Sequence, residues 1–245
     1  MDRTTGLGVL DREGRKVVDI LGGCQDPTRV DVVTCPGWTL TDLADHLGGV
    51  YGWVVRVLES PPDAARPEWP PGRKPEEPVA RFFASRLEAL LSALHEVDED
   101  SVRWNFVADD AAPVSFWWRR QLHETVIHRV DAELAVGTAV TSFDTKLSVD
   151  GIDEYFEINS YRPADWSDLQ IGDGLAVHLH ATDTDNAEWT VDTLRGRFAR
   201  AHMKGDVGLR APAWSLDRWL WGRFDLADGE IFGDRTAAEY WRPRP

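Results

Sequence analysis

The spacing of apolar positions divides the chain into a helical first part and a strand-rich second part. Val9, Leu10, Val17, Val18 and Leu21 recur at helical intervals and predict a helix over 8–22. Leu43, Leu47, Val50 and Val54 form a second stripe and predict a helix from Thr39 to about Leu58. Thr39 is placed to cap it, and Asp42 supplies the acid of a weak capping box. Phe82, Phe83, Leu87, Leu90, Leu91 and Leu94 predict a third helix from Glu77 to about Val97. A fourth is expected from Pro113, near its first turn, to about Val136, with Phe116, Leu122, Val126, Val130 and Leu134 inside it. Gly137 follows where a C-terminal stop would sit. Thr145 to Asn159 gives a fifth helix. Long helices joined mostly by loops point to an antiparallel bundle.

Beyond that point the period changes. Residues 175–182, LAVHLHAT, alternate and read as a strand, with further strands expected over 188–193, 199–204, 206–210 and 230–232. Residues 213–222 return to helical spacing. The expected architecture is therefore α+β: a four-helix bundle over 1–165 and a small α/β domain over 166–245. Seven of the fourteen prolines fall within 59–78, so no helix passes through that stretch and it is a long connection.

Composition narrows the class. The 245 residues carry 42 acidic against 27 basic side chains, a formal charge of −15. That balance argues against nucleic acid and anionic membranes as partners, since both need a basic patch. Twelve Trp and nine Phe require a core and exclude disorder. The two cysteines, Cys24 and Cys35, could form one disulfide, but no Cys/His cluster suggests a zinc ribbon. No leader-like apolar segment and no run of about 18 apolar residues is present, so the expectation is a reduced, cytoplasmic protein.

The most informative segment is Leu122-His123-Glu124-Thr125-Val126-Ile127-His128-Arg129-Val130-Asp131. His123 and His128 are five apart, about 140° around a helix, and do not make an HExxH pair. Glu124 and His128 are four apart and share a face, so a carboxylate and an imidazole can reach one divalent ion. Asp131, one turn on, could hold the second nitrogen of the His128 ring. His46, beside the apolar stripe of the second helix, is the candidate third ligand. Three protein ligands would leave an open position, a catalytic rather than structural arrangement. Equally, Glu124 and His128 could be a surface pair and His46 a hydrogen-bonded half-buried histidine. His123 and His95 read as surface or boundary residues.

TCPGWTLTDLADHLGGVYGW (34–53) followed by WRRQLHETVIHRVDAE (118–133) resembles the mycothiol-dependent maleylpyruvate isomerase family, of the DinB-like helical-bundle group. VHLHATDTDNAEWTV, DVGLRAPAWSLDRWLWGR and EIFGD resemble its small second domain, related to sterol-carrier-like folds. By that resemblance His46, Glu124 and His128 fall on the family's metal ligands. It implies a divalent cation, Zn2+ first, with the thiol cofactor mycothiol in the open position. The thiolate would attack an electrophilic, anionic small molecule, as a cis-trans isomerase or a thiol S-transferase. Arg223 is the positional match to an arginine implicated in activity, and Arg120, four before Glu124, could pair with it or bind a substrate carboxylate.

Several residues keep a plainer reading beside these. Arg120 with Trp117 and Trp118 fits a solvated helix face with two half-buried indoles, and Arg223 a structural arginine at a helix end. Cys35-Pro36-Gly37-Trp38 reads as a rigid turn with Trp38 as a packing anchor rather than as a thiol nucleophile. His178 and His180 share one strand face, with no carboxylate obviously placed beside them. The alternatives for the whole chain are a non-catalytic metal- or small-ligand-binding or regulatory protein on the same scaffold, and a metal-dependent hydrolase.

Overall fold

The computed structural model describes residues 1–107, 112–160, 176–192, 197–223 and 229–234. The chain forms two units, Met1–Thr141 and Ser142–Pro245. The first contains helices α1 (Arg3–Gly23), α2 (Leu40–Glu59), α3 (Val79–Glu96) and α4 (Ser115–Ala135). A 3-10 turn over Pro27–Arg29 precedes α2, and a two-residue ladder pairs β1 (Val102–Arg103) with β2 (Ala112–Pro113) before α4. Each long helix packs on two others: α1 on α3 and α4, and α2 on α3 and α4. The expected four-helix bundle is thus present.

Local chemistry explains the helix ends. The Thr39 hydroxyl receives the Asp42 amide N–H while an Asp42 carboxylate oxygen accepts the Thr39 amide, closing the capping box of α2. Gly137 adopts φ +70, and its N–H bonds to the Leu134 carbonyl while Thr138 N–H reaches Glu133. That pair of bonds is a Schellman stop for α4. The guanidinium of Arg3 donates to the Leu94 and Val97 carbonyls, supplying partners at the end of α3. Pro113 does not open α4 as expected: it sits in the β1–β2 ladder, and the helix begins two residues later.

The proline-rich connection runs without helix and lies against α2 and α3 through hydrogen bonds to its carbonyls. Trp53 Nε1 donates to Pro67, Arg56 to Glu68 and Arg86 to Pro71. Arg73 grips both oxygens of Asp45 at 2.7 and 3.0 Å. The approach of α2 to α3 depends on Gly48, where a Cβ would stand 2.6 Å from Phe82 Cε1.

α4 is buried nearly all round. Trp117 and Trp118 are fully enclosed rather than half-buried, and His123 is buried rather than at the surface. Arg129 has no exposed surface and reaches Glu13 at 3.0 Å, the Thr141 carbonyl at 2.7 Å and Glu133. A charged helix can occupy the centre because its ions pair with one another and with the backbone.

The second unit begins with α5 (Thr145–Ser160), so the boundary lies at 141/142 rather than 165/166. The reason is packing: Ile152, Tyr155 and Phe156 of α5 belong to the core of the C-terminal sheet. That sheet has the order β5-β4-β3-β6-β7, from β3 (Ala176–Ala181), β4 (Glu188–Asp192), β5 (Arg197–Ala199), β6 (Val207–Ala211) and β7 (Glu230–Gly233). β3 is central, antiparallel to β4 and parallel to β6. The strand expected over 199–204 lies earlier, at 197–199. α6 (Ala213–Leu220) ends in a second Schellman turn, with Gly222 at φ +74 and Arg223 N–H on the Arg218 carbonyl. Val177, Leu179 and Ala181 face this core, which leaves His178 and His180 on the opposite face. No helix among the described residues is long and apolar enough to cross a membrane.

Candidate metal centre

α2 and α4 pack side by side, and their facing surfaces bring His46, Glu124 and His128 together. The i,i+4 spacing sets Glu124 and His128 on one face of α4, and α2 supplies His46 opposite. Glu124 Oε1 lies 3.5 Å from His46 Nε2 and 3.4 Å from His128 Nε2. The two imidazoles meet edge to face with centroids 5.3 Å apart.

These distances discriminate between two kinds of cluster. A hydrogen-bonded N–H···O pair closes to about 2.9 Å. Two donors on one tetrahedral cation, each about 2.1 Å from it, stand about 3.4 Å apart. The observed separations match the second case, and two imidazole nitrogens with one carboxylate oxygen are a donor set suited to zinc. Burial and the neighbouring His128 push the His46 pKa down to about 4, so at neutral pH the ring is uncharged and its lone pair is available. The residues present therefore fit a divalent cation.

Behind the ring of His128, Nδ1 faces Asp131 Oδ2 at 2.8 Å. Asp131 is completely buried and accepts from the Thr34 hydroxyl at 2.6 Å, with Cys35 Sγ at 3.7 Å. This chain of contacts fixes the His128 tautomer with its proton on Nδ1, leaving Nε2 as the acceptor atom. Trp38 stands over the pair, 4.9 Å from the His46 ring and 6.5 Å from that of His128. Trp38 is thus a wall of the site as well as an anchor, and Thr34 and Cys35 support it. The sequence signal for these three was the 34–38 motif placed immediately before the His46 helix. Cys24 and Cys35 are not joined in a disulfide.

Arg120 lies one turn before Glu124, is buried, and pairs with its Oε2. It is therefore part of the site's charge balance rather than of a solvated face. Tyr51 and Thr125 share a 2.5 Å hydrogen bond beneath, tying α2 to α4. Arg223 belongs to the second unit, directly after the turn that ends α6, with its guanidinium on the Trp221 carbonyl.

Residues 10–133 match the model of the mycothiol maleylpyruvate isomerase N-terminal domain, and residues 146–239 that of the MDMPI C-terminal domain. Among solved structures, the chain is similar to a crystal structure of the mycothiol-dependent maleylpyruvate isomerase. The identity is 14%, over 91% of this chain and 90% of that one, with a TM-score of 0.59. A histidine-to-alanine mutant of that isomerase matches with the same identity and TM-score, over 94% and 92% of the two chains. At such identity the likeness speaks for the fold alone. No curated protein matches.

Proposed function

The chain belongs to the mycothiol maleylpyruvate isomerase family, and from that premise we propose that it is a metal- and mycothiol-dependent enzyme acting on a small, electrophilic, anionic substrate. The reaction proposed is cis-trans isomerisation, with thiol S-transfer as the variant outcome of the same activation. The observation that carries the reading is the convergence of two imidazole nitrogens from two helices on one oxygen of Glu124, at 3.4 and 3.5 Å.

His46, Glu124 and His128 would hold the cation. When bound there, a divalent ion such as Zn2+ supplies Lewis acidity that lowers the pKa of a thiol in its open position. The chain's own residues prepare that position. Asp131 keeps His128 in the tautomer that presents Nε2, and Thr34 keeps Asp131 in place. Two imidazole donors and one carboxylate would leave a bound dication with net positive charge, which would favour an anionic further ligand. Arg120 balances the second oxygen of Glu124 and sets the carboxylate's orientation. Trp38 covers the histidine rings and restricts water there. Arg120, or alternatively Arg223, is the proposed cationic residue for a substrate carboxylate.

The test is metal analysis of the purified chain, followed by turnover of maleylpyruvate with and without mycothiol. Metal-dependent, thiol-dependent isomerisation that is lost in His46→Ala bears the reading out. Thiol-independent cleavage of the substrate by water would make the protein a hydrolase. Metal binding that mycothiol leaves unaltered, with no turnover, would make it a binding protein. Stoichiometric disappearance of the thiol would mark S-transfer.

A further inference from the structure

The outer face of the C-terminal sheet carries a second constellation, remote in sequence from the bundle ligands. His178 and His180 project from β3 on the side away from the core, and their own segment contains no carboxylate partner. The structure supplies one. Register pairs His180 with Glu188 across the β3–β4 ladder and sets Glu188 diagonal to His178. His178 Nε2 lies 2.9 Å from Glu188 Oε2, and His180 Nδ1 lies 3.0 Å from Oε1. His202 then brings its Nδ1 to the same Oε2.

We propose that His178, Glu188 and His202 form a second divalent-metal site, specific for a zinc-like transition ion, within the C-terminal unit. Two imidazoles and a carboxylate, with ligand atoms all within 4.8 Å of one another, are a borderline-soft N/O set that suits such an ion and not magnesium or calcium. His180, on the second carboxylate oxygen, orients Glu188 from behind, the role outer hydrogen bonds play at zinc centres. The two inner contacts have closed to hydrogen-bond length; admitting a cation requires the His178 contact to open by about half an ångström and the His202 contact by more. His202 can make that move, because its side chain is 80% exposed.

The position of His202 is set independently of any ion. The Thr190 hydroxyl donates to the Ala201 carbonyl at 2.9 Å. Arg200 grips both oxygens of Asp153 at 2.8 and 2.6 Å and stacks over Trp189. Residues 200 and 201 are therefore docked, and the histidine that follows is held over Glu188 without bearing on the core. A cation there would join β3, β4 and the segment after β5 at one point, leaving a position for water. It would stabilise the unit, because it binds the folded arrangement and not the unfolded chain.

The experiment uses the full chain, stripped of metal by chelation and titrated with Co2+, whose visible d–d absorption reports histidine and carboxylate ligation. The His46→Ala/His128→Ala double variant removes both histidines of the proposed bundle site. It is expected to retain one equivalent of Co2+ and to gain thermal stability on binding it. Adding His202→Ala, at an exposed position that leaves the sheet intact, should weaken that binding at least tenfold, as should adding Glu188→Gln. Circular dichroism verifies that each variant is folded. No Co2+ uptake by the folded double variant overturns the proposal. So does uptake that His202→Ala and Glu188→Gln leave unchanged. Either result is independent of whether the bundle site binds metal or turns over substrate.

Discussion

His128 and Asp131 stand one helical turn apart on α4, and the 2.8 Å contact between Nδ1 and Oδ2 decides which nitrogen of the imidazole faces Glu124. Carboxylate partners of this kind typically change metal affinity by about 10–100-fold. Asp131→Asn preserves size but removes the carboxylate charge that faces Nδ1. We expect zinc affinity to fall within that range, with helical content unchanged. A competition titration against a chromophoric chelator measures it; an affinity equal to the wild type's would show that Asp131 does not tune the site.

His46 is the proposed ligand whose removal should be least confounded by folding, since its side chain is one-third exposed. His46→Ala should abolish stoichiometric metal uptake by the bundle and reduce thiol-dependent turnover by at least 100-fold. The melting temperature of the metal-free protein should change little, because only a half-buried ring is lost. Loss of turnover with metal affinity intact would assign His46 a different role.

Arg129 carries the largest expected penalty. It is fully buried between Glu13 and Glu133, and breaking a buried ion pair by removing one partner costs about 3–5 kcal/mol. Arg129→Met should therefore lower the urea midpoint of the first unit sharply. Combining it with Glu13→Gln should recover part of the loss, since one stranded carboxylate is then neutral. A combined effect equal to the sum of the single ones would indicate that the two groups are uncoupled.

The same network sets an acid limit. Burial pushes the Glu13 carboxyl up, but Arg129, Lys16 and Arg12 outweigh it and hold the group below the ordinary value of 4.5. A folded-state pKa below the unfolded one means stability that is complete above the unfolded value and lost as pH falls through the folded one. The melting temperature should accordingly decline as pH drops below about 4.5. Glu13→Gln should lower stability at neutral pH and flatten that decline; an unchanged slope would place the acid sensitivity elsewhere.

Gly48 offers a packing test. Alanine there gains about 1 kcal/mol of helix propensity, but its Cβ would meet the buried Phe82 ring at 2.6 Å. Overpacking costs about 1–3 kcal/mol, so the clash should prevail and Gly48→Ala should be destabilising. Gly48→Ala with Phe82→Leu should be more stable than the sum of the two single effects, as measured by chemical denaturation.

Much of this was legible in the chain because the relevant signals are local. The Thr39–Asp42 box, the Gly137 stop and the i,i+4 face of Glu124 and His128 each depend on residues within one turn. The approach of His46 to that face followed from its place beside an apolar stripe. What escaped was decided by tertiary contact. Pro113 was taken by a two-residue ladder with Val102, and α5 was claimed by the sheet because Tyr155 and Phe156 pack there. His123, Trp117 and Trp118 were enclosed because α4 has neighbours on all sides, which its polar sequence conceals. Glu188 met His178 and His180 only through strand register, a property no single segment encodes.

The division of the chain at Thr141 has a consequence for biosynthesis. All three proposed bundle ligands, the Asp131 support and the Arg129 network lie within the unit that this residue closes. The C-terminal sheet, in contrast, is incomplete until β6 has been made, because its central strand β3 pairs with it in parallel. A ribosome therefore releases the entire bundle ligand set before it has finished the second unit. The nascent chain therefore has every residue of the proposed metal site while synthesis is still under way.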